Sequence, residues 1–266
     1  MGDGPLVMDR LAWALSAVLP GVAAAPWLDV PTGDGPIGPE WPARRAAEIG
    51  APYARDAEGG LIPDFSRVPG AADTHPDVRE LYEHTGKFDL SVDPRWTPGF
   101  GIGARVWSAL FARRWGQLDL PLRGDTALTN EIWRSGAPDP AQWWVRRYPD
   151  GRTLYVSRYD LVDVPGQPDR CVRITFPVPG GAWVVLFRVA HEGGAFVLTE
   201  EGGTPGGPGL YLVRRGGPAR YVRAFREEIR VTPAPDGCRA THRMWVFGVP
   251  VATLAYRLPV GGPGRV

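Results

Sequence analysis

From residue 125 to residue 258 the chain is written in short runs of alternating apolar and polar positions, each closed by a turn signal. ALTNEIWR is followed by AQWWVRRYP and the turn Asp150-Gly151, and TLYVSRYDLVDV by DRCVRITFPV and Gly180-Gly181. AWVVLFRVAH turns at Glu192-Gly193-Gly194 into AFVLTEE, and a glycine-rich loop over residues 202–209 leads to LYLV. Three closing runs occupy residues 221–258, separated by a Pro235-Asp236-Gly237 turn and a Gly248-Val249-Pro250 break. The pattern predicts an antiparallel meander of about nine or ten strands. So many consecutive strands favour a closed barrel or a strongly curved sheet, because that geometry manages unpaired edges. The expected class is mainly antiparallel β with accessory helices. A lipocalin-like barrel and a helix-grip (START-like) sheet both fit, and the lack of a long helix after Leu258 favours the barrel.

Helical spacing appears before the meander. Val7, Leu11, Leu15, Val18 and Leu19 predict a helix over residues 6–19, ended by Pro20-Gly21. Residues 22–72 are rich in Pro and Gly but carry Trp27, Trp41, Tyr53 and Phe65, with a short helix over residues 43–49. They read as an extended arm wrapping a core, disorder being the alternative. Thr74-His75-Pro76 opens a helix with the apolar stripe Val78, Leu81 and Tyr82, closed by Gly86. Residues 87–92 alternate as a strand that Asp93-Pro94 should stop. A third helix, over residues 102–115, places Val106, Trp107, Leu110, Phe111 and Trp115 on a stripe able to plug or brace the sheet. The expected organisation is an arm over residues 1–72, a barrel domain over 73–260 and a disordered tail over 261–266.

Composition narrows the classes. The 266 residues are 44% hydrophobic and 22% charged with a net charge of +1, which implies no general attraction to nucleic acid or anionic membrane. No apolar run is long enough for a membrane span. Residues 11–26 mimic an export leader, but Asp3, Asp9 and a lone Arg10 make a poor basic flank, so an amphipathic helix and a cytoplasmic protein are expected. Cys171 and Cys238 read as small buried hydrophobes.

Candidate chemistry is sparse. Glu227 falls on the same alternation as Phe225, Ile229 and Val231, so it points into a barrel if they do. A buried carboxylate serves as a general acid or base, a polar anchor, or a structural ion-pair partner, and the many arginines here favour the last. Arg243, on the next strand, could stack on Trp245 and Phe247 or pair with Glu227 across the hairpin, the two then forming the polarising pair of an enzyme, while His242 reads as a satisfied core histidine. Tyr155 and Tyr159 share one face and are candidate donors. Among the many aromatics, Trp133, Trp183, Phe225, Trp245 and Phe247 are the expected contacts for a hydrophobic ligand. The four histidines, His75, His84, His191 and His242, make no metal-ligand spacing, and GFGIG at residues 99–103 lacks the rest of a phosphate loop. Neither metal nor cofactor is expected. The loop over residues 202–209 reads as a lid.

The closing run ATHRMWVFGVPVATLAYRL, with His242, Arg243, Met244, Trp245, Val246, Phe247 and Pro250 and the acidic pair Glu227-Glu228 upstream, resembles the C-terminal end of YndJ-like bacterial proteins. LYEHTGKFDL, LFARRWGQLDLP, GGAFVLTEEGG and GLYL extend the resemblance over roughly residues 76–258. It implies one shared domain and supplies no catalytic residue. The functional expectation is a cofactor-independent cyclase or isomerase, such as a cycloaddition catalyst, holding a polyketide-like molecule by shape and a few hydrogen bonds. The alternative is a non-catalytic carrier of a lipid-like molecule.

Overall fold

The computed structural model describes residues 19–23 and 25–261. Apart from Leu19 and Gly261 at their borders, the helix expected over residues 6–19 and the tail from residue 261 lie outside the described residues. Among the described residues there are three short helices: α1 (Trp41–Glu48), α2 (Pro76–Glu83) and α3 (Phe100–Trp107), the last running on through a π-helical stretch, Ser108–Ala112, to Arg113–Trp115. The strands are β1 (Gly21–Val22), β2 (Tyr53–Arg55), β3 (Leu90–Trp96), β4 (Thr126–Ser135), β5 (Ala141–Arg147), β6 (Thr153–Val162) and β7 (Cys171–Val178), followed by β8 (Gly181–Glu192), β9 (Ala195–Thr199), β10 (Gly209–Arg214), β11 (Ala219–Tyr221), β12 (Phe225–Ala234), β13 (Gly237–Val246) and β14 (Val249–Pro259).

Ten strands close into an antiparallel barrel in the order β8-β7-β6-β5-β4-β3-β14-β13-β12-β9, with β9 returning to β8. The expected barrel is therefore the observed one, and the open helix-grip sheet is not. Closure depends on β8 serving two neighbours. Its first half, Gly181 to Leu186, pairs with β10, and its second half, Arg188 to Glu192, pairs with β9. The β10 branch continues to β11 and β1 as a flap outside the barrel.

Two details of chain geometry depart from the sequence reading. Asp93-Pro94 does not stop β3, whose pairing with β14 runs from Ser91 to Trp96. Pairing with β4 ends at Val92, so Pro94 lies where the strand has a neighbour on one side only and its missing N–H is tolerated. In α3, Ile102, Val106 and Leu110 are exposed at 65, 52 and 47%, while Ser108, Ala112 and Trp115 are buried. Apolar residues occur on more than one face of the helix, so periodicity alone does not decide which face turns inward.

The arm is part of the core. Leu61, Ile62, Phe65 and Val68 pack with Val78, Leu81 and Tyr82 of α2 against the inward residues Val172, Phe196, Leu198 and Val231. They seal one end of the barrel. On its outside, Trp27 and Leu28 pack against Tyr211 and Val184, and Trp41 meets Trp143 edge to face at 5.2 Å. Arg173 ties the arm down further, donating to the Trp27 carbonyl at 2.9 Å while pairing with Asp160. No described helix is long and apolar enough to cross a membrane.

Because Phe65 is fully buried between Tyr82 and Phe196, Phe65→Ala should lower unfolding free energy by about 3–5 kcal/mol in a denaturant titration of the whole protein. A loss below about 1 kcal/mol would show the arm to be an appendage.

Candidate functional site

The inward faces of the strands do not fill the barrel. A cavity of about 550 Å³ lies between the helix α3 and the middle of the barrel. Its walls are Ile174, Phe176, Trp183, Val185, Phe187, Phe225, Met244 and Val246, with Leu210 and Leu212 from the β10 branch. Phe100, Gly103, Ala104 and Trp107 of α3 cover its mouth. Small residues on that face let the helix backbone approach the cavity. Trp107 stacks with Phe111 and leans on Trp183, with ring centres 5.0 and 5.4 Å apart.

The lid is fixed at its C-terminal end by buried hydrogen bonds. Ser108 Oγ donates to Asp119 Oδ1 at 2.6 Å, Arg152 Nη1 donates to Asp119 Oδ2 at 2.6 Å, and Trp107 Nε1 donates to the Leu118 carbonyl at 3.2 Å. Gln117 is completely buried. Its amide donates to the carbonyls of Val156 on β6 and Pro177 on β7, at 2.9 and 2.8 Å, and its oxygen accepts from Val156 N at 2.9 Å. The β6–β7 ladder covers Arg158 to Val162 on β6, so this side chain occupies the gap where the two strands part. The expected lid, the loop over residues 202–209, lines no part of the cavity. It is folded on itself, with Tyr211 Oη accepting from Gly206 N and donating to the Gly207 carbonyl.

Polar groups concentrate at the cavity floor. Glu227 is buried and faces the cavity, as its alternation predicts. Its partner is His242, whose Nε2–H donates to Glu227 Oε2, and Arg243 is elsewhere. The Pro235-Asp236-Gly237 turn sets Glu227 opposite Met244 and Glu228 opposite Arg243. Residues directly opposite share a face, so Arg243 points outward, half exposed, 3.7 Å from Glu228. The expected Glu227–Arg243 pair is thus corrected to Glu227–His242.

The other site residues divide in the same way. Tyr155, Tyr159, Trp183 and Phe225 line the cavity. Trp245 lies on the outer face under Arg226, whose guanidinium carbon is 4.5 Å from its ring centre. Trp133 stacks on Tyr53 outside the barrel, with ring centres 5.0 Å apart. Phe247 is 83% exposed at the tip of the β13–β14 hairpin. These three were expected inside because they are large and apolar, but strand parity and turn position put them out.

Two interior residues went unnoticed in the sequence, although alternation places both. Glu200 follows Phe196 and Leu198 on the inward face of its run, and Arg146 lies between the inward Trp144 and Tyr148. The β9–β12 ladder ends at Thr199 opposite Glu228, and the next strand N–H, that of Glu227, donates to Glu200 Oε2 at 3.1 Å. The carboxyl substitutes for a missing strand. Burial, and then the neighbouring Glu227 carboxylate, push Glu200 up from 4.5 to about 9, which favours its neutral form. Burial also drives the Tyr155 and Tyr159 hydroxyls well above their usual range, which keeps them protonated. Among the described residues no cluster of His, Cys, Asp and Glu could hold a metal ion.

The native state holds a Glu200 proton that the unfolded chain releases between pH 4.5 and about 9. Stability from this group is complete below the lower value and is lost as pH rises through the upper one. Urea unfolding at a series of pH values should therefore show a steeper decline across this window in the wild type than in Glu200→Gln. Parallel declines would mean that Glu200 is ionised in the folded protein.

A scan against protein-family models, a search of the curated proteins and a search of the solved structures each returned no match.

Proposed function

We propose that the protein binds a hydrophobic small molecule inside the barrel, in the cytoplasm. The observation that carries this reading is the apolar cavity of about 550 Å³ under α3, within the size range of sites for drug-sized ligands. A barrel built only for stability has no use for an unfilled space of that size, because each missing contact weakens the core. The two buried free thiols, Cys171 and Cys238, suit a reducing compartment.

A second reading, a cofactor-independent cyclase or isomerase, is favoured by one specific feature. The Glu227–His242 pair reaches the cavity wall among apolar side chains. In this reading the pair moves a proton on the bound molecule, and the Tyr155 or Tyr159 hydroxyl donates to the oxygen on which charge develops. Shape holds a flexible chain in its reactive fold. Arg243 has no part in it, since it faces solvent.

Titration with an uncharged apolar ligand such as retinol or oleyl alcohol should give saturable quenching of the tryptophan fluorescence, because Trp96, Trp107 and Trp183 line the cavity. Val185→Trp, which fills the cavity from β8, should abolish the response while unfolding stays cooperative. A response that survives this substitution would locate binding elsewhere. Once a chemically convertible ligand is found, Glu227→Gln should keep its binding and lose turnover if the protein is an enzyme. Unchanged turnover would remove the pair from the chemistry.

A further inference from the structure

Beneath the floor of the large cavity is a second space of about 50 Å³, lined by Arg146, Trp144, Tyr82, His242 and Leu258 among others. Tyr155, Tyr159, Ile229, His242 and Tyr256 line both spaces, which adjoin there. One water needs about 10–15 Å³ of this kind of volume, so the lower space has room for a small polar group larger than a single water.

Arg146 is the unusual member. It is only 4% exposed, and its Nε and Nη1 are buried without a hydrogen-bond partner. Its guanidinium carbon lies 3.2 Å from the centre of the Trp144 ring, and 4.7 and 5.2 Å from those of Tyr155 and Tyr256. Stacking on aromatic faces offsets part of the cost of burying the cation but satisfies none of its in-plane N–H groups. The Tyr256 hydroxyl lies beside it. The nearby carboxylate, Glu227, is held by His242, and among the described residues no ion pair joins it to Arg146. Glu200 also bonds away from Arg146, to the Glu227 amide. A buried guanidinium with two idle donors and no counter-anion is costly unless something else supplies the anion.

We infer that Arg146 is the receptor for the carboxylate of an amphipathic acid whose apolar tail fills the large cavity. This inference rests on the ligand-binding reading above and adds the chemical class: a long, mostly apolar molecule ending in a carboxylate. One carboxylate oxygen accepts from the idle Nη1 at the terminal edge of the guanidinium, and the Tyr256 hydroxyl stands beside it as a further donor. These shared residues mark the level at which head meets tail.

The test is a calorimetric titration of the full-length protein at neutral pH with oleate, oleyl alcohol and methyl oleate. Oleate should bind about tenfold to a hundredfold more tightly than the two uncharged analogues, the ratio that charge-assisted hydrogen bonds confer. Arg146→Met should bring oleate down to the affinity of the alcohol and leave the alcohol unchanged. Equal binding of acid and alcohol by the wild type overturns the anion site while leaving the cavity reading intact. A preference for oleate that persists in Arg146→Met places the receptor elsewhere and also overturns it. If none of the three compounds binds, the cavity reading fails and the inference falls with it. Should Arg146→Met fail to fold, the wild-type comparison still decides, and Tyr256→Phe should reduce the preference severalfold without affecting the alcohol.

Discussion

Every backbone N–H and C=O in a closed sheet must find a partner, and a wall that forks cannot supply partners from strands alone. This barrel forks at β8, which pairs with β10 over one half and β9 over the other. It also parts between β6 and β7. At both places a buried side chain takes the position of a missing strand. Gln117 serves Val156 and Pro177, and Glu200 serves Glu227. The interior owes part of its polarity to this requirement. Glu200 is there because a strand N–H beside β9 would otherwise be orphaned, and its proximity to Glu227 follows from that structural task.

The same requirement makes arm, lid and barrel one cooperative unit. The segment that follows α3 threads along β6, with Asp119 N donating to the Leu154 carbonyl and the Tyr148 hydroxyl donating to the Asp119 carbonyl. The arm contributes β2 to the wall beside β4 and closes the far end with Leu61, Ile62 and Phe65. A boundary between arm and barrel at residue 72 describes composition and does not describe packing. A Pro/Gly-rich sequence here is extended chain fastened at intervals by aromatic anchors.

The barrel was legible in the sequence because its turns are chemically explicit and its strands alternate cleanly. Burial of Glu227 was legible for the same reason. Its partner was not, because facing residues across a hairpin depend on register, and a shift by one residue exchanges His242 for Arg243. Size misled in the other direction: Trp133, Trp245 and Phe247 are large and apolar, yet parity and turn position send them outward. Arg146 and Glu200 were written in the alternation all along. Each is a charged residue inside an apolar period, the same signal that marks Glu227. The cavity itself left no mark in the sequence, since the residues that line a void and those that fill one belong to the same apolar set.

The hydrogen bonds around Gln117 and Asp119 hold only the second half of the helical lid. Its first half begins at Gly99, whose φ of 90° lies in glycine's own territory, and contains Gly101 and Gly103. In mechanical terms the cover is a cantilever, clamped at Ser108 and beyond and compliant towards Phe100. A guest arriving from solvent would have to lift the Phe100 end, and the traffic route into the barrel would run between that end of the helix and the β10 branch.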